Sequence, residues 1–319
     1  MSVWVIGLDL MTNRHDEPLL IVGSMAFDDL ELPTENARDV IGGAATYAAY
    51  TASLFGPVRI VAVVGNDFPE PVLEELRGRS VDVLGVERKA TGKTFRWSGR
   101  YTENLASRTT LDTQLNVFAD FRPVLPESYR NSRFVLLGNI QPALQLEVLA
   151  QARSPEFVAA DTMNFWITSE RGALGEVLKK LDLLEINDEE VRQLAEDHNV
   201  KRAARAVLAM GPKRLVVKRG EYGAMLFDEH GIFFAPAYPL ETEIDPTGAG
   251  DCFAGALLGY LANQPKIDES TLRRSLMMAA TVASFCVEGV GTRRVKSVTL
   301  DEVARRLDEL RTLVHFAPA

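Results

Sequence analysis

Only two cysteines, Cys252 and Cys286, and four histidines, His15, His198, His230 and His315, occur in the 319 residues. Two thiols complete no metal site by themselves and the histidines lack ligand spacing, so neither a structural zinc nor a disulfide framework is expected. Positive charge is also in deficit. The 35 Lys and Arg against 44 Asp and Glu leave a formal net charge of -9, which offers no general field to nucleic acid or anionic lipid. Any anionic ligand needs a local cradle. No apolar run approaches the ~20 residues of a membrane span. Residues 1–17 carry no basic segment ahead of their apolar stretch, which Asp9 interrupts. They read as an N-terminal extension or extra edge strand rather than a secretory signal, and a reduced, cytoplasmic protein is expected.

What is present is a foldable chain, 46% apolar and 25% charged, enough to bury one large core. Short β-rich apolar runs recur at 19–22, 58–64, 134–137, 157–160, 181–186, 215–217 and 224–227. Segments with helical spacing and good helix formers lie between most of them, at 46–54, 71–77, 143–152, 174–180 and 203–210. Strands apolar nearly throughout, alternating with amphipathic helices, are covered on both faces, so the fold class is α/β with a mostly parallel, doubly wound sheet. The stretch 91–123 breaks the alternation. It is polar and rich in Thr, Arg and aromatics, and residues 94–101 alternate in character, which predicts a small β sheet with one wet face: a flap over a ligand cleft, or a solvated hairpin.

In an open α/β sheet ligands bind beyond the carboxyl ends of the strands, so motifs that follow strands weigh most. Asp245-Pro246-Thr247-Gly248-Ala249-Gly250-Asp251 leads directly into a helical run with Phe253, Leu257, Tyr260 and Leu261 on one face, and with Gly255 and Gly259 four apart for close packing. The small residues Gly248, Ala249 and Gly250 leave backbone N–H groups free to point at one spot, where the helix dipole favours an anion. That suits a transferring phosphoryl group. Asp251 lies in the same turn, within reach of a hydroxyl held in line with that group, and is the candidate general base. A capping residue and a tight turn account for the same local pattern. Two other phosphate signatures fail: Gly92-Lys93-Thr94 lacks its P-loop glycine because position 87 is Glu87, and a dinucleotide fingerprint from Gly248 needs a small residue where Phe253 stands.

The motif Asp245 to Asp251 resembles the D-[TP]-T-G-A-G-D signature of the ribokinase (phosphofructokinase B) family of carbohydrate and nucleoside kinases. The resemblance runs in order over residues 19–311: Gly23 to Asp28 after the first strand, Gly42-Gly43 before a helix, Asn187-Asp188-Glu189-Glu190 like the N-x-x-E motif, and Lys218 to Ala224 like the nucleotide-side G-x-x-G-A turn. It implies one ribokinase-like kinase domain over 18–313 with a β lid made roughly by 28–41 and 91–123. By position Asp251 is the base, Gly248, Ala249 and Gly250 are the anion hole, and Lys218, Gly220, Gly223 and Thr247 line ATP with the helix 272–287. Asn187 and Glu190 orient Mg²⁺ through its waters, although Asn followed three residues later by Glu is also a capping-box pattern. Asp28, Gly42, Gly43 and Asn139 hold substrate hydroxyls, Asn139 being equally a turn residue, and Asp161 and Asn164 lie near the phosphates. The resemblance also raises a K⁺ site between the Asp245 loop and residues 288–292. Lid sheets can pair between subunits and bury an open edge, so a homodimer through the lid is expected.

The chain departs from ribokinase at Gly42-Gly43-Ala44-Ala45-Thr46-Tyr47, where a lysine is lost and an asparagine becomes Tyr47. Ribose itself is thereby put in doubt. Arg96, Trp97, Arg100, Tyr101 and Asn104 can close over a sugar, or the aromatics can stack on a nucleobase. The leading expectation is an ATP-dependent sugar kinase acting on a hydroxymethyl group. A nucleoside 5′-kinase is the enzymatic alternative, and a non-catalytic sensor on a kinase fold is the alternative of another class. Neither nucleic acid nor membrane is an expected partner.

Overall fold

The computed structural model describes residues 17–315, so most of the expected extension 1–17 lies outside the described residues. The chain runs β1 (Leu19–Val22), β2 (Ala26–Glu31), β3 (Asn36–Gly42), α1 (Ala44–Ala52), β4 (Val58–Val64), α2 (Glu70–Gly78) and β5 (Val81–Arg88). It continues through β6 (Phe95–Tyr101), β7 (Arg108–Gln114), β8 (Phe134–Leu137), α3 (Pro142–Gln151), β9 (Phe157–Asp161), α4 (Asn164–Ser169), α5 (Arg171–Leu178), β10 (Leu183–Asn187), α6 (Asp188–Ala195) and α7 (Val200–Leu208). The last elements are β11 (Leu215–Lys218), β12 (Ala224–Asp228), β13 (Gly231–Ala235), α8 (Ala249–Ala262), α9 (Glu269–Cys286) and α10 (Leu300–Val314).

Nine strands form the main sheet in the order β13-β12-β11-β10-β9-β8-β1-β4-β5. Pairing is parallel from β5 across to β11 and antiparallel only at the β11-β12-β13 edge. The sequence of each strand explains its double coverage. In β1, Leu19 and Ile21 enter the core shared with α1, α8 and α9, while Leu20 and Val22 enter the opposite core with α3, α5, α6 and α7. The side-chain period of two splits every apolar run between two helix layers.

Between α1 and α8 the layer is close-packed, because a Cβ on Gly255 or Gly259 would lie 2.5 Å or 2.6 Å from the Cα of Ala48 or Ala52. Helix α8 is buried continuously from Cys252 to Ala262. Each large apolar side chain there contributes roughly 1.5–3 kcal/mol, so the N-terminus of α8 is anchored by its own body.

The second sheet, β3-β2-β6-β7, is built from 26–42 and 95–114. Its β2–β6 pair is parallel, and the other two pairs are antiparallel. Chain order runs outward from β1 to β5 and then returns to β8 on the other side, so the main sheet's switch point lies between β1 and β8. The second sheet springs from the end of β1 at that same crevice, where such folds bind ligands.

Candidate active site

Helix α8 starts at a residue only glycine accepts easily. Gly248, its N-cap, has φ 76°, and a Cβ there would lie 2.5 Å from ring carbons Cε2 and Cγ of Tyr47 in α1. The preceding loop is pinned by Asp245, fully buried, whose Oδ1 accepts from the Thr247 N–H at 2.9 Å and Oδ2 from the Gly291 N–H at 2.8 Å. The Ile244 N–H donates to the Val287 carbonyl at 2.7 Å, so the loop is held to the segment after α9. The Ala249 N–H donates to the Pro246 carbonyl at 3.2 Å. Among the described hydrogen bonds the N–H groups of Gly248, Gly250 and Asp251 donate to nothing, as befits the first turn of a helix awaiting an acceptor. The expected donor Ala249 is thus spent on the turn itself.

Beneath that turn the strand ends supply charge. Phe157 and Ala159 of β9, Leu183 of β10 and Val216 of β11 face the α8 layer, so by alternation Asp161, Glu185, Asn187 and Lys218 face it too. The Lys218 Nζ stands 3.0 Å from Asp161 Oδ2, and a Cβ on Gly250 would come within 3.2 Å of Nζ. Burial opposes the ammonium charge, but Asp161, Glu185, Glu190 and Asp251 outweigh it and hold Lys218 above the ordinary lysine range. Burial, then Asp161, pushes the Asp251 carboxyl up to about 7, with Lys218 and Arg108 pulling the other way. Glu185 is fully buried with neither carboxylate oxygen hydrogen-bonded among the described residues, and burial raises it to about 8.

Asn187 and Glu190 form a reciprocal cap on α6. The Glu190 N–H donates to Asn187 Oδ1 and the Asn187 N–H to Glu190 Oε2, both at 2.8 Å. The capping alternative is therefore realised, yet Glu190 Oε1 stays uncommitted among the described hydrogen bonds, and burial lifts this carboxyl to about 7. Among the described residues no group of three or more His, Cys, Asp or Glu is arranged to hold a metal. The donors present fit a hydrated Mg²⁺ carried on phosphates, with one carboxylate oxygen to accept from its waters.

Across the crevice, Asp28 of β2 is 4% exposed. Burial first, then the carboxylates of Asp245, Asp251 and Asp29, raise it to about 8. A Cβ on Gly42 would meet its Cγ at 2.6 Å, so the glycine makes room for this carboxyl. Gly43 is the N-cap of α1. Asp28 pairs in register with Trp97, and Tyr101 on the same face of β6 bonds its hydroxyl to Thr247 Oγ1 at 2.9 Å. The second sheet is thus tied to the anion loop.

Several expected contacts lie elsewhere. Arg96 and Arg100 alternate with Trp97 and Tyr101 onto the other face, where they pair with Asp29, Asp39 and Glu31. Asn104 accepts from Thr102 in the β6–β7 turn. Asn139 Oδ1 accepts from Trp166 Nε1 at 2.9 Å and Asn164 donates to Gln193 Oε1 at 2.9 Å, so both organise the loops after β8 and β9. Gly220 and Gly223 bracket the tight turn between β11 and β12. Cys252 is fully buried. Glu185 and Arg108 were missed. Glu185 interrupts an apolar run two residues before Asn187, which was the available signal; Arg108 becomes visible only through its pairing opposite Tyr101.

A family model described as pfkB family carbohydrate kinase matches residues 3–298. The cytidine kinase of Thermococcus kodakarensis is 30% identical over 255 residues, 77% of this chain and 90% of that protein. Among solved structures, Arabidopsis thaliana ribokinase complexed with ribose and ATP aligns with a TM-score of 0.73 at 22% identity, covering 91% of this chain and 98% of that one. A Vibrio cholerae fructokinase in fructose, ADP and potassium ion bound form aligns with a TM-score of 0.74 at 18% identity, covering 93% and 100%. These likenesses identify the fold as ribokinase-like.

Proposed function

The chain belongs to the pfkB family of carbohydrate kinases, and from that premise we propose that it transfers the γ-phosphoryl group of MgATP to the 5′-hydroxymethyl group of a ribonucleoside. The observation that carries this reading is the convergence of the α8 N-terminus, Lys218 and Asp251 on one crevice, with buried Asp28 and half-buried Trp97 opposite. The N–H groups of the first turn and the Lys218 ammonium receive the phosphoryl oxygens, and Asp251 takes the proton of the attacking hydroxyl. Its carboxyl, raised to about 7 by burial and Asp161, is a stronger base than an exposed aspartate. Mg²⁺, arriving on the phosphates, would neutralise their charge while Glu190 Oε1 and Asn187 orient its waters. In the same reading Lys218, Gly220, Gly223 and Thr247 line the nucleotide, and a K⁺ ion sits between the Asp245 loop and residues 288–292, which the potassium ion bound form of the Vibrio cholerae fructokinase supports.

Asp28 accepts from the ribose hydroxyls, Gly42 leaving room for its carboxyl and Gly43 for the Ser24–Met25 backbone, and Asn139 Nδ2, which donates to nothing among the described residues, turns to the acceptor. Trp97 offers an aromatic face for a base. The 30% identity with a cytidine kinase favours a nucleoside over a free sugar. A free sugar held by the same Asp28 is the second reading, since the family is one of carbohydrate kinases. Cytoplasmic placement and the lack of a nucleic-acid or membrane partner belong to the same reading. They are supported by the -9 net charge and by the lack of any helix, among the described residues, long and apolar enough to cross a membrane. A homodimer through the lid is supported by β7, an edge strand exposed along its length.

ADP release is to be measured with MgATP against cytidine, adenosine, inosine, ribose, fructose and 2-keto-3-deoxygluconate. Nucleoside kcat/KM at least 100-fold above every free sugar is expected. Turnover of a free sugar alone would replace the nucleoside reading by the second one.

A further inference from the structure

The chain is acidic overall, with a net charge of -9, yet three cationic side chains from two separate elements surround one cavity of about 190 Å³ at the β3 edge of the second sheet. Arg38 reaches it from β3, and Arg293 and Lys296 reach it from the turn that follows α9. Arg38 and Arg293 are exposed and make neither an ion pair nor a side-chain hydrogen bond among the described residues. The next residue differs: Arg294 pairs with Glu288 and Glu302. Lys296 has a loose partner, Glu75 at 3.7 Å. Asp39, the carboxylate in the lining, is drawn onto Arg96 at 2.6 Å. Thr292 lines the same space at 7% exposure, and its hydroxyl makes no hydrogen bond among the described residues. The walls of the cavity lead to both halves of the active site. Val40 and Ile41 run directly into Gly42, which makes room for the Asp28 carboxyl. Opposite them, Val290 and Thr292 flank Gly291, whose N–H donates to Asp245 Oδ2 at 2.8 Å and so holds the loop that opens α8. A Cβ on Gly291 would collide with Val40 Cγ1, so the two walls touch at this glycine.

We propose that this cavity is a second anion site, which takes a phosphoryl dianion, free as inorganic phosphate or carried on a small phosphomonoester, and braces β3 against the turn that holds Asp245. The planar forks of Arg38 and Arg293 match phosphoryl oxygens, Lys296 adds a point charge, and the Thr292 hydroxyl supplies a further donor. A ligand that bridges β3 and residues 290–296 stabilises the arrangement in which Asp28 and the α8 N-terminus face each other. Occupancy therefore tightens nucleotide binding, and by linkage bound nucleotide tightens the anion by the same factor. The coupling rests on the nucleotide reading above; the anion site itself does not. Arg38, Arg293 and Lys296 take no part in the phosphoryl transfer, so their substitution tests the second site alone.

Binding of inorganic phosphate and of glycerol 3-phosphate is to be measured by calorimetry on the full chain saturated with a non-hydrolysable MgATP analogue, which fills the phosphoryl position at α8. Wild type should bind one equivalent of at least one probe. Arg38→Met and Arg293→Met should each weaken it about tenfold or more, as for loss of a charge-assisted hydrogen bond, with Arg293→Lys intermediate. Lys201→Met, which removes an exposed cation of α7, should stay within about twofold of wild type. Tighter binding of glycerol 3-phosphate assigns the ligand as a phosphomonoester; equal or weaker binding assigns it as phosphate itself. The substituted side chains are all exposed, so melting temperatures should match wild type. Saturating anion should tighten MgADP about fivefold or more in wild type and not in Arg293→Met. No binding of either probe, or equal binding in wild type, Arg38→Met and Arg293→Met, would overturn the site, and an unchanged MgADP affinity would overturn the coupling. If the analogue itself does not bind, the kinase reading fails, and the same titrations on the free chain still decide the anion site.

Discussion

A single methyl group on Gly248 is the sharpest test of the anion hole. In Gly248→Ala, φ 76° puts an L-residue in the left-handed region, at about 1–2 kcal/mol. The new Cβ would also sit 2.5 Å from two carbons of the Tyr47 ring, roughly 1 Å inside ordinary contact. Tyr47 is 1% exposed, so it cannot swing away, and overpacking of this kind costs about 1–3 kcal/mol. The loop is the softer side. It is held by the Asp245 bonds to Thr247 and Gly291, and it would move outward, taking the Gly250 N–H away from the phosphoryl position. A misplacement near 1 Å costs on the order of 10²-fold in rate. Steady-state kcat and a thermal melt on Gly248→Ala should show both losses. In a Tyr47→Leu background the clash is relieved and only the φ cost remains, so the two substitutions should be non-additive by about 1–2 kcal/mol in stability. Equal losses in both backgrounds, or wild-type kcat in Gly248→Ala, would refute the packing argument.

Tyr101→Phe removes the lid's bond to Thr247, a net contribution of about 1 kcal/mol. Acceptor KM should rise about fivefold with the fold unchanged in a melt; no change in either kinetic constant would show that the bond does not secure closure. The nucleotide-free protein should lose stability as pH rises, because Glu185 titrates near 8 in the fold against an ordinary value of 4.5. A raised carboxyl contributes fully below the unfolded value, and the contribution is lost as pH climbs through the folded one. The window is therefore about pH 4.5 to 8, and Glu185→Gln should flatten the fall of melting temperature between pH 5.5 and 8.5; parallel slopes would show that this carboxyl does not carry it.

Much of the frame was legible because apolar runs of two-sided strands and the Asp245–Asp251 loop are local signals. Strands at 19–22, 58–64 and 134–137 fall where the runs placed them. The sequence reading omits β5, where Val81 to Arg88 alternates with charge, and β13, whose apolar run Ile232 to Ala235 is short and follows closely on the run at 224–227. The site was legible in part. Lys218, Gly248 and Asp251 do converge, since Lys218 ends β11 and the other two open α8, and Asp28 faces them from within β2. The lid arginines were misjudged for a physical reason: Arg96 and Arg100 stand beside Trp97 and Tyr101 in sequence, but a strand sends neighbours to opposite faces. Arg108 owes its place to a cross-strand register that spacing does not encode. The apolar context of Glu185 disguised a fully buried carboxyl that burial and Asp161 push up and Lys218 draws down.

Under the proposed function Asp251 is the base of a phosphoryl transfer. Wild type and Asp251→Asn are to be compared in single-turnover phosphorylation of the best acceptor with MgATP across pH 5.5 to 9, with MgATP binding measured in parallel. Asp251 acts as base only when ionised, so wild-type turnover should rise through pH about 7, where burial and Asp161 place its carboxyl, and then level off. Asp251→Asn should bind MgATP as before and lose about 10²–10⁴-fold in rate, with the rise through pH 7 gone. Full activity in Asp251→Asn, or an unaltered pH profile, would contradict the account.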